Sequence, residues 1–220
     1  MMYTFRNTNH APWAIYPLLA REGIRQTSRN GDVLSLPYPL MITYTNPLEM
    51  VNFCPVRDAN PFFHFMERLW FLQAKPDVQF IAKFLPRMVE YSYDGDKFNA
   101  QYGNNLRHLF GFDQLVKVAE RLKEDPHTRR AVAQIWDPND LNKESKDLAC
   151  NMTLVFRFIN ARLDMTVYNR SNDLIWGGVT GANITNLPIF LEYVAAMADI
   201  PPGRLHVISN NPHVYLDNPK

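Results

Sequence analysis

Cysteine is scarce in this 220-residue chain, which carries two, Cys54 and Cys150, and no Cys-x-x-Cys pair. That scarcity speaks against a disulfide scaffold and against a structural zinc site. The six histidines show no metal-ligand spacing, so no metal is expected. An excess of one charge is also missing. The formal net charge is +1, with Lys and Arg scattered rather than blocked, and no electrostatic footprint of nucleic acid or membrane binding stands out. No basic-then-apolar leader opens the chain, and its longest apolar runs are interrupted by Arg68 or Glu192, too short and too charged to span a bilayer. Repeats, low-complexity stretches and linkers are absent too. Apolar residues at 46% and aromatics at 13% are globular values. The expectation is one cytoplasmic domain over residues 1–220, of a size that buries most of the surface its unfolded form exposes.

Residues 12–22 read as a short helix leading into a loop over Gln26 to Gly31, followed by strands at Val33–Leu36 and Leu40–Tyr44. Asn60-Pro61 is a cap-and-first-turn signature opening an apolar helix from Phe62 to Gln73. Asp113 caps a helix whose Leu115, Val118, Ala119 and Leu122 share one stripe. Ala131–Trp136 reads as a strand, and 152–159 with 163–170 as a hairpin around Asn160-Ala-Arg162. Leu187–Ala198 is expected to be helical, and Leu205–Ser209 a strand running toward Tyr215. Helices and strands do not alternate regularly, which points to an α+β fold rather than a doubly wound sheet.

Cys150, followed further on by Arg170-Ser171-Asn172-Asp173, is the most informative pattern. It places a thiol, a guanidinium, a hydroxyl and a carboxylate at the ends of two adjoining strands. A thiol near an arginine loses its proton more easily, and the thiolate is the nucleophile. Arg and Ser suit phosphate oxygens, and Asp suits the N–H edge of a heterocycle. The implied ligand is a nucleotide attacked by sulfur. Cys54, beside Pro55, has no comparable setting and reads as structural. Glu67 sits where most helical faces are apolar; it is either a desolvated acid able to exchange a proton near neutral pH or a surface pair with Arg68. Arg129-Arg130 is either a solvated pair or a phosphate clamp, and His213 and Tyr215, two apart on a strand, can bind a sugar hydroxyl. The glycines of Trp176–Asn183 do not match dinucleotide-binding spacing.

Together these pieces resemble the thymidylate synthase and pyrimidine-nucleotide hydroxymethylase family, from about Arg29 to Tyr215. The segments that carry the resemblance are Ser28-Arg-Asn-Gly31, Glu67-Arg-Leu-Trp-Phe-Leu72, Tyr102-Gly103 with Arg107, Arg129-Arg130, Cys150, Arg170-Ser-Asn-Asp173, Asn183 and His213-Val-Tyr215. The resemblance implies a thymidylate synthase-like fold, a mixed sheet with flanking helices, and a homodimer through the sheet. It implies 5,10-methylenetetrahydrofolate as cofactor and a pyrimidine nucleoside monophosphate as substrate, with no nucleic acid or membrane partner. Cys150 would add to C6 of the pyrimidine, Glu67 relay protons through water, and Tyr102 help remove the C5 proton. Arg29, Arg170 and Ser171 would hold the phosphate, with Arg129 and Arg130 reaching across from a second subunit. His213 and Tyr215 would bind the 3′ hydroxyl, Asn183 the pyrimidine edge, and Asp173, with a catalytic part as well, and Trp70 the folate.

The departures from ordinary synthases are Ala-Cys-Asn for Pro-Cys-His, Asn-Arg-Ser-Asn-Asp for Gln-Arg-Ser-Cys-Asp, and a longer loop between Asp173 and Asn183. Arg-Ser-Asn-Asp with Trp-Gly-x-x-x-Gly-Ala-Asn is similar to the hydroxymethylase-like, phage-type branch. The chain ends shortly after Tyr215, whereas synthases continue into a tail that closes over the folate; without that lid, water rather than hydride would meet the new carbon, while a shortened chain or a minimal family member would end the same way. The expectation is therefore hydroxymethylation of dUMP, whose N3–H and O4 suit the Asn183 amide; the same amide flipped would pair with cytosine. The alternatives are thymidylate synthase itself and a nucleotide-binding member that has lost catalysis.

Overall fold

Asn60 and Asp113 do what their positions predict. The Asn60 side chain accepts the amide of Phe63 at 3.0 Å, and Asp113 accepts those of Leu115 and Val116 at 3.1 and 3.2 Å, satisfying amides that an isolated helix start leaves unpaired. The computed structural model describes residues 1–55 and 57–216. The expectation about the chain end after Tyr215 falls largely on 217–220, outside the described residues.

The helices are α1 (Pro12–Glu22), α2 (Pro61–Gln73), α3 (Gln79–Ala82), α4 (Met88–Tyr91), α5 (Tyr102–Asn104), α6 (Gln114–Glu124), α7 (Ala182–Asn186) and α8 (Pro188–Ala198). The strands are β1 (Met2–Phe5), β2 (Ile24–Ser28), β3 (Gly31–Ser35), β4 (Leu40–Tyr44), β5 (Val132–Gln134), β6 (Asn151–Ile159), β7 (Arg162–Asn169), β8 (Asn172–Asp173), β9 (Pro202–Ser209) and β10 (Pro212–Tyr215). They form two mixed sheets, a six-stranded one in the order β1-β4-β9-β7-β6-β5 and a four-stranded one in the order β2-β3-β10-β8.

The register of the larger sheet lines Leu154, Val167, Val207 and Ile42 across β6, β7, β9 and β4, all buried. α8 packs on β7 and β9, and α6 packs on α8, so Leu115, Leu122, Phe190 and Val194 join the same core. Each such side chain, removed from water, contributes on the order of 2 kcal/mol. Leu174–Ala198 is by length and composition apolar enough to cross a membrane, which the sequence reading did not anticipate. Of its most apolar 18-residue window 72% is buried in the protein's own interior, and the segment is divided into α7, α8 and a wide helical turn before them.

Three expectations need correction. Residues 26–28 are not loop but the end of β2, which pairs with β3 from Ile24↔Ser35 to Ser28↔Gly31. Gly31, at φ 115°, closes that hairpin in a conformation other residues resist. The expected strand 131–136 shortens to Val132–Gln134, because Ile135 and Trp136 both donate their amides to the Met152 carbonyl instead of continuing the ladder. The predicted helix from Leu187 begins at Pro188, behind the separate turn of α7.

Candidate active site

The β6–β7 hairpin turns on Asn160 and Ala161, both at positive φ, and its register brings the Arg170 amide to the Cys150 carbonyl at 3.1 Å. The Arg170 side chain folds back over the same segment. Its Nε donates to the Ala149 carbonyl at 2.9 Å and its Nη2 to Leu148 at 3.2 Å. Nη2 then lies 4.0 Å from the Cys150 sulfur, and the guanidinium covers the Trp136 ring at 5.3 Å.

Cys150 lines a cleft of about 680 Å³ together with Glu67, Tyr102, Asn183 and Tyr215, while Trp70 and Phe98 form part of its aromatic wall. Arg29 stands beside Asn30, which lines the cleft, and donates through Nη1 to the Ser145 carbonyl at 2.9 Å. The thiol is not activated as the sequence suggested. Burial pushes its pKa up, and the positive fields of Arg170 and Arg29 offset that only in part.

Glu67 comes from α2, on the face packed into the protein. It is 8% exposed, and burial raises its carboxyl to about 7. The Asn186 amide donates to its Oε2 and, with the Arg68 charge, restrains that rise. The surface-pair alternative is not what the structure shows. Arg68 turns away to the Met50 carbonyl at 3.1 Å and to Asn186 Oδ1 at 3.3 Å.

Tyr102 is held against the end of α2. Gln101 donates to the Trp70 carbonyl at 2.7 Å and Arg107 to the Leu72 carbonyl at 2.7 Å, so the last carbonyls of that helix are satisfied by the segment carrying the tyrosine. The approach is so close that a Cβ on Gly103 would sit 1.7 Å from the Phe71 carbonyl oxygen. Burial foremost, then the fields of Cys150 and Glu67, raise the Tyr102 phenol, while the amides of Asn151 and Asn183 act the other way. The tyrosine thus connects the thiol, the acid and the two amides.

The parallel pair β8–β10 sets His213 beside Asp173. His213 is buried, its Nδ1 lies 3.1 Å from the Asn211 carbonyl, and its ring meets Tyr215 edge-on at 5.3 Å. Asp173 Oδ1 accepts the amides of Ile175 and Trp176 at 2.8 and 3.0 Å, and burial raises its pKa. Arg170, Asp173 and His213 act on or touch cleft residues (Cys150 and Tyr215) without lining the cleft, and Ser171 does not line it either. Arg129 and Arg130 are exposed and do not line it. Trp70 is almost wholly packed, with its indole N–H on the Asp77 carbonyl at 3.2 Å, and offers the cleft only part of its ring.

Sequence reasoning missed Asn186 and Asp147. Asp147 lines the cleft and is buried. Its oxygens accept the amides of Asn99 and Ala100, and desolvation raises it to about 6. Its position shortly before Cys150 is the signal that could have found it; for Asn186 that signal is its place one helical turn after Asn183.

The sequence pattern of the family described as Thymidylate synthase matches residues 23–220. The chain belongs to the thymidylate synthase family. Within that family it is similar to the "Deoxyuridylate hydroxymethyltransferase" of Pseudomonas phage M6, 46% identical over 213 residues that cover 96% of this chain and 60% of the relative. The protein of the same name from Bacillus phage SP01 is 37% identical over 236 residues, covering 99% of this chain and again 60% of the relative. The chain thus spans about 60% of the length of these two relatives. The crystal structure of thymidylate synthase from T4 phage superimposes with a TM-score of 0.71 at 21% identity, over 93% of this chain and 76% of that one, which establishes a thymidylate synthase fold.

Proposed function

We propose that this chain catalyses one-carbon transfer to C5 of a pyrimidine nucleoside monophosphate, and that its reaction is the hydroxymethylation of dUMP. The observation that carries the reading is the convergence of Cys150, Glu67, Tyr102 and Asn183 on one cleft, with Arg170 on the sulfur. The names of the two phage relatives favour uracil and the hydroxymethyl product.

Cys150 forms the bond from sulfur to C6, and the electron pair released from the C5–C6 double bond makes C5 a nucleophile. Glu67, with its carboxyl near 7, is suited to take and return protons at neutral pH. Burial keeps the Tyr102 phenol protonated, so it assists removal of the C5 proton by passing a proton on rather than as a phenolate. Asn183 reads the edge of the base, and His213 and Tyr215 hold the 3′ hydroxyl. Arg29, Arg170 and Ser171 grip the phosphate; two Arg170 nitrogens already serve carbonyls, leaving Nη1 for that task. The cleft's aromatic wall beside Cys150 fits a flat bicyclic ring, with Trp70 shaping it and Asp173 addressing its N–H groups. Methylenetetrahydrofolate, when bound, supplies the one-carbon unit.

Arg129 and Arg130 reach the phosphate of a second copy in a homodimer. Support for a dimer through the sheet comes from the outer face of the larger sheet. Val132 and Val155 lie side by side there, as do Tyr168, Ile208 and Met41, all at least partly exposed. Incubation with dUMP and methylenetetrahydrofolate, read by mass spectrometry, tests the reading. Tetrahydrofolate with 5-hydroxymethyl-dUMP supports it, and dTMP with dihydrofolate assigns the synthase reaction instead. Tight binding without release of C5 tritium from labelled dUMP or dCMP would mean a binding protein.

A further inference from the structure

We propose that Asn186 is a positioning residue, its amide tying the Glu67 carboxylate to Arg68 and so setting how Glu67 faces the cleft and how readily it ionises. The inference rests on the reading of Glu67 as the proton relay.

Glu67 and Arg68 are neighbours on α2, where successive side chains point about 100° apart and do not meet. Neither donates to the other directly. Asn186, fully buried, fills the gap: Nδ2 donates to Glu67 Oε2 and Oδ1 accepts from Arg68 Nε. An amide is both donor and acceptor, and only this orientation avoids setting two acceptors or two donors face to face. Arg68 is itself fixed by the Met50 carbonyl, so the chain of contacts runs from a backbone anchor to the cleft. α7 also carries Asn183, one turn earlier and in the cleft wall. One short helix therefore presents an amide to the cleft and a second amide to the acid.

The charges around Glu67 are few. Arg68 comes from its own helix, Tyr102 faces it from α5, and Glu192 of α8 acts on Arg68. Arg87, just before α4, and Glu90 within it share the cleft with Lys146 and Asp147. His64, on the Thr185 hydroxyl at 3.2 Å, is lowered by burial to about 4 and stays neutral. The Asn186 donor thus acts on the ionised form of Glu67 from the side away from solvent.

The test is a titration of the full chain labelled with carboxyl-carbon-13 glutamate, the Glu67 signal being the one absent from Glu67→Gln. Asn186→Leu removes the donor, and Asn186→Asp keeps the volume while replacing the donor with an acceptor. The Glu67 titration is expected to move up by about one pH unit in Asn186→Leu and at least as far in Asn186→Asp. Turnover of Asn186→Leu at neutral pH should fall about tenfold with an unchanged KM for dUMP. An upward shift in Asn186→Leu supports the inference and titration at the wild-type position in that folded variant overturns it; where Asn186→Leu does not fold, Asn186→Asp decides by the same two outcomes. The titration needs no turnover, so a wild-type protein inactive on dUMP would sink the proposed function without touching this result.

Discussion

The Arg170 guanidinium stands 4.0 Å from the Cys150 sulfur, held there by the carbonyls of Ala149 and Leu148 from the same turn. A cation fixed by the segment that carries the thiol cannot drift from it, yet it does not overcome the thiol's burial. Arg170→Leu is expected to raise the thiol pKa further. Alkylation of Cys150 by iodoacetamide at pH 8 should then slow by about tenfold, one pKa unit's worth. Arg170→Lys, which keeps the charge but not the fork, should slow it less. Peptide mapping separates Cys150 from the half-buried Cys54. An unchanged rate in Arg170→Leu would remove Arg170 from any account of the nucleophile.

Arg129 and Arg130 are exposed and do not line their own cleft; in the proposed homodimer they serve the phosphate of the second copy. Cys150→Ser alone and Arg129→Ala/Arg130→Ala alone should both be nearly inactive. Mixed after co-refolding, they should recover about a quarter of wild-type activity, because half the dimers pair one variant with the other and each such dimer has one complete site. No recovery, with dimers confirmed by sedimentation, would mean that the pair serves no partner site.

Gly103 bears a tolerance that can be measured. A methyl at that position would overlap the Phe71 carbonyl oxygen at 1.7 Å, and backbone atoms cannot rotate aside. Gly103→Ala is expected to cost about 3 kcal/mol in urea unfolding and to displace Tyr102. Catalysis of C5 tritium exchange should then fall by more than the lost folded fraction explains. Wild-type stability in Gly103→Ala would show that α5 does not lie against α2 as described.

Much of this fold was legible because its strongest signals are local. Asn60 and Asp113 announce their helices through side chains that cap amides a few residues away. The β6–β7 hairpin shows its strands by alternation, but the turn expected over 160–162 is one residue shorter, because Arg162 already pairs with Ile159 as the start of β7. β2 was hidden because it is an edge strand whose Arg25, Gln26 and Thr27 are all exposed; with no buried face, it carries no period to read. Cys150, Glu67 and Tyr102 could be named from residue chemistry and family pattern. The charge state of Cys150 could not, since a nearby arginine and a buried wall act in opposite directions and only coordinates rank them. Asn186 was invisible for a related reason: its importance lies in a carboxylate far away in the sequence.

Glu67 ties activity to stability through pH. Its carboxyl titrates near 4.5 when unfolded and about 7 when folded, because burial disfavours the anion more than Asn186 and Arg68 favour it. A raised carboxyl leaves stability intact below the unfolded value, where both states are protonated, and removes it as pH climbs from there through the folded value. The full loss amounts to about 3 kcal/mol by pH 8. Glu67→Gln has no such proton to lose, and its amide oxygen can still accept from Asn186. It should therefore match wild type at pH 4.5 and exceed it in urea by 1 to 3 kcal/mol (about that order) at pH 8, while losing proton relay and so nearly all turnover. Equal stability of the two proteins at both pH values would show that the Glu67 carboxylate is solvated, and would take from the cleft the acid its chemistry needs.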